Sequence, residues 1–178
     1  MPELTEIRWH ARAGQGAKTA SQLVALALLR SGRSVQAFPE YGPERRGAPL
    51  RAYTRISDRP IRRHDAIEDP DVVVVLEPSL VHDAGVTDGL GEESLVLLNA
   101  ETAPQELAGT QVVCVPASRI AAGLGSKFGN VVMVGALAAA LGEPPLEDVQ
   151  DAAVELLGKK LPAESVRDAV EEGYRWLA

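Results

Sequence analysis

The sequence has little of what most enzymes rely on for their own chemistry. It contains one cysteine, Cys114, so an intrachain disulfide is excluded and this chain alone cannot ligate an iron–sulfur cluster. The setting Val112-Val113-Cys114-Val115 reads as a strand in which the thiol packs as a small hydrophobe. The three histidines, His10, His64 and His82, are scattered without metal-ligand spacing. No Gly-x-Ser-x-Gly elbow is present. Aromatics make up 4% and the net charge is −7, which argues against nucleic acid as a partner. No apolar run approaches the roughly 20 residues of a membrane span. The start Met1-Pro2-Glu3-Leu4-Thr5-Glu6 lacks the basic and apolar segments of a secretory signal, so a cytoplasmic protein is expected.

What is present begins with 46% apolar residues in 178, enough for one domain over residues 1–178. Charge is unevenly placed. Residues 1–63 hold twelve Lys/Arg against five Asp/Glu, while residues 64–178 hold six against twenty. Seven arginines lie between Arg45 and Arg63, a density that suits a phosphate, a carboxylate or an acidic partner surface.

Strand-then-helix signals recur along the chain. Glu6–His10 alternates as a strand, the loop Ala11–Gly16 follows, and the alanine- and leucine-rich segment Ala17–Arg30 predicts a helix stopped at Ser31-Gly32. Ser34–Phe38 is a second strand leading into the loop Pro39–Pro49. Leu50–Ser57 alternates again, and Asp58-Arg59-Pro60 reads as a turn into Ile61–His64, predicting a hairpin. The runs Val72–Leu76, Leu95–Leu98 and Val112–Val115 have the character of strands covered on both faces. Helices are expected over Val131–Leu141, Leu146–Leu157 and Ala163–Leu177, with Leu146, Val149, Ala153 and Leu156 forming the apolar stripe of the second. The fold class that follows is α/β, a largely parallel central sheet flanked by helices, with a β-hairpin and a helical C-terminal part.

Three motifs could carry chemistry. In His10-Ala11-Arg12-Ala13-Gly14-Gln15-Gly16-Ala17-Lys18-Thr19, glycines between a strand and a helix allow a close backbone approach to an anion at the helix start. The motif is neither a P-loop, since Lys18 follows alanine, nor a full dinucleotide fingerprint, since the third glycine is missing. A plain tight turn explains it equally well. The second is Phe38-Pro39-Glu40-Tyr41-Gly42-Pro43-Glu44-Arg45-Arg46-Gly47-Ala48-Pro49, in which prolines stiffen a turn presenting Glu44, Arg45 and Arg46. That arrangement suits an anion or a fixed subunit contact better than a solvated salt bridge. The third, Ser126-Lys127-Phe128-Gly129-Asn130, places Asn130 as a helix N-cap or, alternatively, as a ligand group.

The glycine loop and the arginine loop, in that order and about thirty residues apart, resemble the gamma subunit of pyruvate and related 2-oxoacid:ferredoxin oxidoreductases. Asn130 with Gly135-Ala136 resembles that family's third signature, and the likeness runs from about residue 5 to residue 142. Members usually carry glycine in place of Ala11 and commonly in place of Ala13. The resemblance implies a complex that decarboxylates a 2-oxoacid on thiamine diphosphate, sends electrons through iron–sulfur clusters to ferredoxin, and hands the acyl group to coenzyme A. Thiamine diphosphate and the clusters are then expected in alpha, beta and delta-type partner subunits, because this chain has one cysteine and no Gly-Asp-Gly motif. No cofactor is expected on this chain alone, nor activity from it alone.

The implied assignments are cofactor binding for Gly14, Gln15, Gly16 and Asn130, and subunit or anion contact for Glu44, Arg45 and Arg46. Glu44-Arg45-Arg46-Gly47-Ala48-Pro49 resembles the pyruvate and branched-chain members more than the 2-oxoglutarate or indolepyruvate ones. The rival is a stand-alone nucleotide-binding or regulatory α/β module using Gly14–Gly16. A nicotinamide-dependent enzyme, with Glu40 as its ribose contact, ranks lower.

Overall fold

The computed structural model describes residues 4–40, 47–82 and 85–178. Its sheet is built from β1 (Leu4–Arg12), β2 (Ser34–Pro39), β3 (Pro49–Ser57), β4 (Val72–Val75), β5 (Leu95–Leu98) and β6 (Gln111–Cys114), in the order β2-β3-β1-β4-β5-β6. The helices are α1 (Ala17–Arg30), α2 (Ala117–Gly123), α3 (Gly129–Leu141), α4 (Leu146–Leu157) and α5 (Ala163–Arg175). β1, β4, β5 and β6 are mutually parallel, and β3 alone runs against its neighbours β1 and β2. The largely parallel sheet read from the sequence is therefore the observed one.

The strand period of two sorts β1 into two faces. Ile7, Trp9 and Ala11 enter the main core, together with α1, α3, α4 and α5. The opposite face is covered over β4 and β5 by Leu80, Val81, Val86 and Leu107, from the segments that follow those strands. Ala11 is fully buried in β1. Its methyl group fills core space, so this position needs no glycine.

α3 is enclosed, with Val131 through Ala138 all buried, which explains why it shows no polar stripe. It packs on α5 at glycine contacts. A Cβ at Gly135 would lie 2.0 Å from the Val170 carbonyl, and one at Gly173 would lie 1.9 Å from that of Val132.

Two expectations are corrected. Ile61–His64 forms no strand, so the hairpin with Leu50–Ser57 does not exist. β3 already spends both edges on β1 and β2, leaving no ladder groups for a third partner; the antiparallel hairpin is β2–β3. On α4 the buried residues are Val149, Ala152 and Ala153, and Leu156 is exposed. The short helix α2 was not anticipated.

Candidate functional site

A cleft of about 440 Å³ opens at the carboxyl ends of the parallel strands. Chain connections leave β1 and β4 in opposite directions, toward β2 and β5, so the gap between them is the topological switch point where α/β sheets hold ligands. Gly14, Gln15 and Gly16 after β1, Leu76 after β4, Asn99 after β5 and Asn130 on α3 all line it. The four residues assigned to cofactor binding are thus brought together.

The glycine loop is held by its own side chain. The Arg12 backbone N–H donates to Gln15 Oε1 at 2.7 Å, and Gln15 Nε2 donates to Glu77 Oε2 at 2.6 Å, bridging the β1 and β4 exits. Burial raises the Glu77 pKa, but hydrogen bonds from Gln15 and Ser79 and the charge of Arg12 outweigh it, so the carboxyl stays below its usual range. Gly14 and Gly16 have φ of +99° and +83°, conformations that other residues resist. Gln15 is therefore a scaffold group, facing the neighbouring strand exit as well as the cleft.

The glycine loop also grips the base of the arginine loop. The Ala13 N–H donates to the Ala48 carbonyl at 3.0 Å, and Arg12 Nη1 donates to the Gly47 carbonyl at 3.1 Å. Glu44, Arg45 and Arg46 lie outside the described residues. Glu40, the residue considered for a ribose contact, instead accepts a hydrogen bond from the Tyr53 hydroxyl.

Asn130 is not the N-cap of α3. The helix starts at Gly129, two residues earlier than expected, with Phe128 at the cap and the Ser126 hydroxyl accepting the Phe128 N–H at 3.1 Å. Asn130 sits in the first turn and donates from Nδ2 to the Gly16 carbonyl at 3.3 Å. α1 and α3 both begin at the cleft without a side-chain cap and without an acidic residue in the first turn. Their first amides have no acceptor inside their own helices and carry the positive end of the helix dipole. Lys127 and Lys160, both exposed, stand on the same cleft. Two bare helix starts and two ammonium groups give the cleft a positively charged lining. Asn99 fixes the far wall, donating to the Leu76 carbonyl and the Ser118 hydroxyl, each at 2.9 Å.

A pattern described as pyruvate ferredoxin/flavodoxin oxidoreductase matches residues 6–176. The chain belongs to that family. Pyruvate synthase subunit PorC of Thermotoga maritima is 43% identical over 95% of this chain and 92% of the relative. The pyruvate/ketoisovalerate oxidoreductases common subunit gamma of Thermococcus kodakarensis is 42% identical over 96% of each. The crystal structure of pyruvate oxidoreductase subunit PORC from Thermotoga maritima superimposes with a TM-score of 0.83 at 37% identity, covering 97% of this chain and 96% of that one. Kinship along the whole length with subunits of oxidoreductases displaces the reading as a stand-alone nucleotide-binding module.

In this member of the pyruvate ferredoxin/flavodoxin oxidoreductase family, a buried polar layer lies below the cleft on the sheet face opposite the helices. Arg8 is 2% exposed and His10 1%. Arg8 Nε donates to His10 Nε2 at 3.1 Å, and its Nη atoms donate to backbone carbonyls of Ile67, Glu68, Gly85, Val86 and Asp88. One guanidinium thereby fixes both approaches to the segment over β4. His10 must remain neutral to accept. Burial, then the charges of Arg8 and Arg51, lower its pKa to about 3. Burial, then the Glu40 carboxylate, raise the Tyr53 hydroxyl to about 12, so it remains a donor. Arg55, fully buried, donates to Glu6 Oε1 at 2.7 Å. Cys114 ends β6 with its thiol pKa raised by burial, which suits packing rather than nucleophilic work.

Sequence reasoning missed Lys160, Asn99, Ser118 and Glu77. Each lies far from the glycine loop along the chain; strand order brings Glu77, Asn99 and Ser118 there, and the packing of α4 on α1 brings Lys160. Lys127 stood inside a motif already singled out, and its charge beside an uncapped helix start was the available signal.

Proposed function

We propose that this chain works as the gamma subunit of a pyruvate:ferredoxin oxidoreductase complex, and that its cleft receives the anionic end of coenzyme A. Kinship at more than 40% identity along nearly the whole chain carries the first part. The second rests on the cleft, where two uncapped helix starts and two lysines face one space. Thiamine diphosphate and the iron–sulfur clusters belong to alpha, beta and delta-type partners; one cysteine does not supply the thiolates a cluster takes. Partner subunits also set the choice of 2-oxoacid. A relative whose name makes it common to pyruvate and ketoisovalerate oxidoreductases supports that division. Glu44, Arg45 and Arg46, which precede the Gly47 and Ala48 carbonyls held by Arg12 and Ala13, take the subunit-facing contact.

Affinity purification of the tagged chain from its native cell, under anaerobic conditions, tests the assignment. Co-purified thiamine-diphosphate and iron-bearing subunits, active with pyruvate, coenzyme A and ferredoxin, are expected; a solitary, iron-free chain would refute it. In that complex, Lys127→Glu with Lys160→Glu should raise the apparent KM for coenzyme A about tenfold with kcat little changed. Arg45→Ala with Arg46→Ala should lower recovery of the partners. Unchanged KM in the first variant removes the coenzyme A assignment, and unchanged recovery in the second removes the loop contact.

A further inference from the structure

Four residues close a hydrogen-bonded ring across the exits of β1 and β4, beside the cleft. One arm runs from the Arg12 backbone N–H to Gln15 Oε1 at 2.7 Å, then from Gln15 Nε2 to Glu77 Oε2 at 2.6 Å. The other runs from Arg12 Nη2 to the Ser79 hydroxyl oxygen at 3.1 Å, then from that hydroxyl to Glu77 Oε1 at 2.8 Å. The ring has one direction. The N–H and guanidinium of Arg12 can only donate and the Glu77 carboxylate can only accept, so both arms start at the first and end at the second. Turning the Gln15 carboxamide over would set its NH2 against the Arg12 N–H and its oxygen against a carboxylate, so its orientation is fixed.

Of the four, only Gln15 lines the cleft, between Gly14 and Gly16; Leu76, the neighbour of Glu77, lines it from the β4 exit. The ring thus sets where the glycine loop stands against the opposite wall of the crevice. That loop needs such a restraint. Gly14 and Gly16, at φ +99° and +83°, have no side chains of their own with which to hold a conformation. Each bond on a partly exposed rim is modest alone, but in a closed network each one holds the others in place.

We propose that Arg12, Glu77 and Ser79 are positioning residues for the ligand of the cleft, acting through Gln15 to hold the glycine loop in its binding conformation. The identity of that ligand rests on the coenzyme A reading above; the restraint on the loop does not. Arg12 Nη1 also holds the Gly47 carbonyl at 3.1 Å, so the same guanidinium ties the ring to the flank of β3.

Ser79→Ala opens the ring at its exposed corner and leaves the Arg12–Gly47 bond alone. In the full chain, hydrogen exchange at the Gln15 N–H, which donates to the Arg12 carbonyl at 3.0 Å, should then rise about tenfold. Ser79→Thr keeps the hydroxyl and should restore slow exchange. Glu77→Gln leaves one acceptor where two arms end, so it should match Ser79→Ala, and the two combined should do no more than either alone. In the native complex these ring-opening variants should raise the apparent KM for coenzyme A about three- to tenfold with kcat little changed. Unchanged exchange at Gln15, or fast exchange in Ser79→Thr as well, overturns the ring. A rise in exchange along the whole of β1 would mean a loosened fold rather than a freed loop, and overturns it too. A KM moved by Lys127→Glu with Lys160→Glu but not by the ring variants overturns the positioning role alone. A KM moved by neither overturns the coenzyme A reading, and with it the ligand named here.

Discussion

Asn130 Nδ2 and the Gly16 carbonyl meet at 3.3 Å across 114 residues of chain, tying the start of α3 to the start of α1. The contact requires glycine. A Cβ at Gly16 would fall 2.5 Å from Asn130 Nδ2, on a backbone at φ +83°. Gly16→Ala should therefore cost about 1–3 kcal/mol and raise the apparent KM for coenzyme A. Gly14→Ala meets nothing within 4 Å and bears only the strain of positive φ, so its loss in thermal unfolding should be smaller. Equal losses would mean that Asn130 yields freely.

The glycine pair between α3 and α5 sets how closely those helices approach. Gly135→Ala and Gly173→Ala each drive a methyl into a backbone carbonyl, at 2.0 and 1.9 Å. Each should lower stability by about 1–3 kcal/mol or more, read from denaturant midpoints at constant m-value. The double variant should cost less than the sum, because one helix displacement relieves both clashes.

Arg8→Met keeps much of the side-chain volume but removes the donors that hold five backbone carbonyls. The expected loss is about 3–5 kcal/mol, with faster amide exchange over residues 67–82. Arg8→Lys should recover only part, since an ammonium cannot span carbonyls on both sides of the covering segment.

Stability should depend on pH through His10. Its folded pKa of about 3 lies below the unfolded value of about 6.5, so between the two the unfolded chain binds the extra proton. The contribution is present in full above about pH 6.5 and is lost as pH falls toward 3, by up to about 1.4 kcal/mol per unit. His10→Gln, which keeps an acceptor for Arg8, should flatten that slope in urea titrations from pH 7 to 4. An unchanged slope would place the effect elsewhere.

The periodicities of β1, α1 and the valine runs carried the fold, because each pattern records which face is buried. The Ile61–His64 pairing was misread because alternation says nothing about whether a neighbouring strand has a free edge. β3 had none. The glycine loop and Asn130 were legible from spacing and family likeness. Of the two roles read for Asn130, the cap is the one the structure removes, since the helix starts two residues earlier than its pattern suggests. Glu77 and Asn99 could not be read because their proximity depends on strand order, nor Lys160, because its own depends on how α4 packs against α1.

Reversing β3 between β2 and β1 has a mechanical consequence. Pro39 is locked in register against Ala52 and Pro49 against Arg12, so the ladder holds both flanks of the connection from β2 to β3. A change between those flanks meets strands already fixed on both sides, so it is expected to act on contacts rather than on the fold.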